Sequence, residues 1–135
     1  MTVEEIRLLT GNHLDSTWAT CTPIKRPNRK FMPPQNSAWI EYRVLPGTVF
    51  EGEINGGVGI RTGVIQIHVS IPEGSGTRSL ADYCARLEAG FRHQKLTTKQ
   101  GKRLITGEAE TRELGPDGAW FKYCVTVTFN AFVGD

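Results

Sequence analysis

Long apolar runs are missing from this 135-residue chain, and no stretch approaches the ~18 consecutive apolar residues of a membrane-spanning helix. The first fifteen residues carry Glu4, Glu5 and Asp15 where an export signal would be basic and then apolar, so the protein is expected to stay in the cytoplasm. Cysteine is sparse: Cys21, Cys84 and Cys124 lie far apart without a CxxC pair, which argues against a disulfide framework and for free thiols. Histidine is equally scarce, and His13, His68 and His93 show no ligand spacing, so no metal site is expected. Net charge is small as well. Sixteen Lys and Arg against fourteen Asp and Glu give +2, too little to imply an electrostatic binder of nucleic acid.

What is present is ordinary globular material, 39% hydrophobic and 22% charged, enough for one domain over residues 1–135. Val3, Ile6 and Leu9 recur at helical steps, with Thr2 and Glu5 spaced for a capping box, and predict a first helix ending near Gly11 to Asp15. Four prolines between 21 and 36 remove backbone donors, so that segment reads as an extended arm. Ser37 to Leu45 alternates as a strand, placing Ala38, Ile40, Tyr42 and Val44 opposite Trp39, Glu41 and Arg43, and Pro46-Gly47 is expected to end it. The glycine-rich segment 50–63 reads as a flexible loop, followed by a strand from Val64 to Ile71.

Thr77 or Ser79 is positioned to cap a second helix whose Leu80, Cys84, Leu87 and Phe91 form one stripe. A weaker strand pattern covers Lys102 to Glu113, and a turn at Gly115-Pro116-Asp117-Gly118 leads into the most regular strand, Phe121 to Ala131. The fold class expected is α+β. It has two layers, with two helices on one face of a mainly antiparallel four-stranded sheet, in the order α-β-β-α-β-β. The other face, carrying Trp39, Gln66, His68, Cys124, Thr126 and Thr128, has no partner layer in this scheme.

Chemistry is hard to find. Cys124 and His68 are predicted on one sheet face, but a thiol and an imidazole sharing a polar face is a common accident. Gly56 to Gly63 opens a strand rather than a helix, which is the wrong context for a dinucleotide loop. Gly74-Ser75-Gly76-Thr77 precedes a helix without the lysine of a phosphate-binding motif, so capping is the expected role. Basic clusters at 25–30 and 95–103 leave a nucleic-acid-binding accessory module as the alternative function.

Three stretches carry a family resemblance: Thr22-Pro23 through Pro27-Asn28-Arg29-Lys30-Phe31-Met32-Pro33, then Trp39-Ile40-Glu41-Tyr42-Arg43-Val44, then Gly63-Val64-Ile65-Gln66-Ile67-His68-Val69-Ser70-Ile71 followed by Pro72-Glu73-Gly74-Ser75-Gly76. With the helix closing on Phe91 and Asp117-Gly118-Ala119-Trp120 before the last strand, the chain resembles the tail terminator-like proteins of long-tailed bacteriophages. Ile65 departs from that pattern, which often has an aromatic residue there. The resemblance implies a structural protein without catalysis or cofactor, found in the virion tail and, during assembly, in the host cytoplasm. It implies a ring, commonly a hexamer, that caps the tail tube, stops its polymerisation and offers a surface to head-completion proteins. Its partners would be itself, the tail-tube protein and a head-completion protein, with nucleic acid at most as DNA passing through the ring. Val49, Phe50, Ile54 and Arg61, in and beside the glycine-rich segment, are the candidate subunit-interface residues.

Overall fold

Alternation and helical stripes set the two layers that a computed structural model of the protein displays. It describes residues 1–18, 21–51 and 59–132, with the side chains of 48–51 left aside. The elements are α1 (Val3–Trp18), β1 (Ile24–Lys25), β2 (Trp39–Glu51), β3 (Gly59–Pro72), α2 (Arg78–Phe91), β4 (Lys95–Thr97), β5 (Arg103–Asp117) and β6 (Trp120–Phe132). The architecture is α+β, but the sheet has six strands rather than four, in the order β1-β2-β3-β6-β5-β4. It is mixed, because β1 runs parallel to β2 while every other pair is antiparallel.

The additional strands were invisible to periodicity. β1 has two residues and lies inside the proline-rich arm, where Pro23 cannot donate but its carbonyl accepts the amide of Ile40 at 3.0 Å. β4 has three residues and is held against Leu104 by register. β2 does not end at Pro46-Gly47. A register shift between Pro46 and Val49 absorbs the proline, and the strand continues to Glu51. A bulged outer strand tolerates a residue without an amide hydrogen. On the partner strand, Gly59 to Gly63 belongs to β3, so only 52–58 of the expected flexible loop lies outside the described residues.

Gly63 has a steric reason to be glycine: a Cβ there would come within 2.4 Å of Phe129 Cζ and 2.8 Å of the Leu45 carbonyl oxygen. The expected turn at 115–118 is tighter than the sequence suggested. Asp117 pairs with Trp120 across Gly118-Ala119, and Gly118 takes a φ of 63°, which suits the first position of a two-residue hairpin.

α1 begins as the spacing predicted, with the amide of Thr2 donating to Glu5 Oε1 at 2.9 Å and the amide of Glu5 donating to Thr2 Oγ1 at 3.1 Å. It runs on through Gly11 to Trp18, because Leu14 and Trp18 are fully buried and tertiary packing outweighs the helix cost of one glycine, about 1 kcal/mol. In α2, Thr77 is the N-cap residue but its side chain makes no cap bond. Leu80, Cys84, Leu87 and Phe91 are all buried, as the stripe requires. They meet Ile65, Ile67, Val69, Val125, Val127 and Phe129 in one core, to which α1 adds Ile6, Leu14 and Trp18. Phe121 and Tyr123, on the core-facing side of β6, are only half-buried and pack at the border of this core.

Candidate functional site

Both helices cover the same sheet face, so the opposite face is open, and alternation decides what it shows. β2 contributes Trp39, Glu41 and Arg43, β3 contributes Gln66, His68 and Ser70, and β6 contributes Lys122, Cys124 and Thr126. A depression of about 400 Å³ on this face is lined by Gln66, His68, Glu110, Arg112, Leu114, Cys124 and Thr126.

His68 and Cys124 are directly opposite in register, so the sequence rightly placed them on one face. They do not form a nucleophile and base. The Cys124 thiol lies 3.6 Å from Thr126 Oγ1, and no hydrogen bond joins it to the imidazole among the described residues. Burial, and then the neighbouring Arg43 guanidinium, lowers the His68 pKa and keeps the ring neutral near pH 7. Cys84, on the other side of the sheet, is buried enough for its thiol to be pushed up to about 12. Among the described residues no group of three His, Cys, Asp or Glu converges as a metal site would require.

At one end of the open face the arm folds back onto the sheet. Phe31 stacks on Trp39 with ring centroids 5.2 Å apart, and Trp120 meets Trp39 edge-on at 5.7 Å. Lys122 Nζ sits 5.4 Å from the Trp39 ring centre and 3.0 Å from Asp117 Oδ2. Beneath them Trp39 and Ser70 are cross-strand partners, and both Trp39 Nε1 and Ser70 Oγ are buried without a hydrogen-bond partner among the described residues. Nothing in the sequence marked this orphaned pair.

The candidate interface residues fare unequally. Val49 and Phe50 lie in β2 opposite Arg61 and Ile60, but their side chains, and Ile54 entirely, lie outside the described residues. Arg61 is half-buried, pairs with Val49 on one side and Ala131 on the other, and its Nε has no hydrogen-bond partner among the described residues. The two basic clusters are separated by the sheet. Lys25 and Arg26 belong to the β1 margin, where they pair with Glu41 and Asp15, whereas Lys95 and Arg103 belong to the β4 margin. They form no single basic stripe.

Comparison with known proteins adds what geometry alone does not. No curated protein matches the chain. A solved structure that carries no functional name matches with a TM-score of 0.76 at 21% identity, over 100% of this chain and 99% of that one, which establishes a shared fold. Residues 5–129 match the family described as phage tail terminator protein, which spans the sheet and both helices. The chain therefore belongs to the phage tail terminator protein family, a family of structural tail-completion proteins of the virion.

Proposed function

We propose that this protein caps the end of the tail tube as a ring of identical subunits, commonly six in such assemblies, stops addition of tube subunits and offers its outward surface to a head-completion protein. The observation that carries the reading is the family match over residues 5–129. It is supported by a sheet face that no helix covers, with Trp39 Nε1 and Ser70 Oγ buried and unpaired beneath the arm. Val49, Phe50, Ile54 and Arg61, on and around the β2–β3 hairpin, are proposed to meet a neighbouring subunit. Nucleic acid enters this reading at most as DNA passing through the ring.

The test is polymerisation of the cognate tube protein, followed by electron microscopy with and without this chain. Addition at one ring per tube end should arrest growth and leave density at the tip. Tubes that lengthen equally in its presence would remove the capping function.

A further inference from the structure

β2 and β5 are the long outer strands of the sheet, and each is covered over only part of its length. β1 pairs with β2 at Ile40 and Glu41, and β4 pairs with β5 from Arg103 to Ile105. Among the described residues, β2 beyond Tyr42 and β5 from Glu110 to Asp117 therefore have no strand on their outer side. Such margins present free amides and carbonyls and are ready templates for another strand.

The two margins differ in charge. A groove of about 330 Å³ runs along β2 beside the turn from Lys25 to Arg29, and its walls carry five cations against one carboxylate, Glu41. Arg7 and Arg29 form no ion pair there among the described residues. β5 is acidic. Glu108 is held by Arg92 and His93, and Asp117 by Lys122, which leaves Glu110 and Glu113 without an ion-pair partner among the described residues. Each margin also exposes one leucine, Leu45 and Leu114, both 47% accessible. Exposed apolar side chains beside unpaired backbone are expected where a contact is still to be made.

We propose that the β5 margin of one copy adds to the β2 margin of a second copy, strand against strand, with Glu110 on the open face meeting the Arg43 wall of the basic groove and Glu113 on the helix-bearing face meeting its Arg7 wall. This deepens the ring reading, on which it rests. Successive antiparallel pairings leave β2 and β5 running in opposite directions, so copies related by rotation about an axis to which the strands are tilted by well under a right angle meet as an antiparallel pair. The contact joins different surfaces of identical subunits. Such a head-to-tail contact repeats until rotation closes it. The free part of β2 lies toward Glu51 and that of β5 toward Asp117, at opposite ends of the sheet, so neighbours are staggered along the strand direction. Stagger of this kind accompanies the ~35–45° strand tilt of closed sheets.

The experiment uses two charge-reversed variants, R7E/R29E/R43E on the β2 margin, which leaves two cations against four carboxylates in the groove, and E110K/E113K on the β5 margin, sedimented alone and mixed beside the wild type over a concentration series. Wild type should assemble into a closed species as concentration rises, while each variant alone, with like charges on both margins, stays monomeric. The equimolar mixture should recover assembly with the variants in equal amounts, because each margin then meets its opposite. That rescue excludes misfolding as the cause of the single losses. A variant that assembles like wild type, or a mixture that stays monomeric, overturns the proposal. Wild type that is monomeric at every concentration also overturns it, while tube arrest judges the capping function separately. Variants that form normal rings yet fail to arrest the tube would assign the margins to the tube subunit instead.

Discussion

His13 Nε2 lies 2.6 Å from the carbonyl oxygen of Gly90, and the same imidazole stands edge-on to Phe91 with ring centroids 4.9 Å apart. A carbonyl only accepts, so Nε2 carries the proton and donates. This joins α1 to the last turn of α2.

Replacing His13 with Ala should leave the Gly90 carbonyl without its partner and cost about 1–3 kcal/mol, read as a lower urea midpoint. Phe91→Ala, which empties a fully buried site beside it, should cost more, about 3–5 kcal/mol. Equal effects of the two would contradict the burial difference.

Gly63→Ala tests the close crossing of β2, β3 and β6. The added Cβ meets a phenyl ring that can move and a backbone oxygen that cannot, so about 1–3 kcal/mol should be lost. Phe129→Leu in the same chain should recover only part of the added strain, because the Leu45 carbonyl stays in place. Full recovery in a thermal melt would mean that the ring alone dictates the glycine.

Glu5 sets part of the acid limb. Its pKa is lowered below 4.5, first by the Thr2 amide and then by Lys102, whose Nζ is 3.2 Å away. The stabilisation is therefore present above pH 4.5 and is lost as pH falls through the depressed value. Glu5→Gln keeps a capping acceptor but removes the ion pair, so denaturation midpoints between pH 5 and pH 3 should decline less steeply than in wild type.

Tyr42 acts at the other extreme. Its hydroxyl is hydrogen-bonded to Thr10 and donates to the Arg7 carbonyl at 3.1 Å, and burial raises its pKa from 10.0 to about 12. A raised pKa contributes stability below pH 10 that disappears as pH climbs toward 12, on the order of 3 kcal/mol in all. Tyr42→Phe should lose about 1 kcal/mol at neutral pH and show a shallower alkaline decline. An unchanged alkaline slope would place the titrating group elsewhere.

Elements long enough to repeat their period were legible in the sequence. The α2 stripe from Leu80 to Phe91 and the alternation from Val125 to Ala131 each return several times to the same face, so burial could be read directly. β5 was blurred by shifts between Thr106 and Ala109 and between Glu113 and Gly115, each of which breaks the alternation. β1 and β4 are too short to have a period and exist only through their neighbours' register. The open face was legible because Gln66, His68, Cys124 and Thr126 alternate with core residues. The unpaired margins were not, because which strands end up outermost depends on long-range pairing that no local window contains.

The strand order also bears on biosynthesis. β6 is the last strand in chain order, yet it sits between β3 and β5, and the β3–β6 seam joins residues as far apart as Ile60 and Phe132. Until β6 has emerged from the ribosome, the β2–β3 hairpin and the β4–β5 hairpin have nothing to join them into one sheet. Pairings of such long range are slow to form and come late in folding. A truncated or half-translated chain thus cannot display both outer strands in fixed relation, and only a finished subunit offers the pair of edges through which copies would associate.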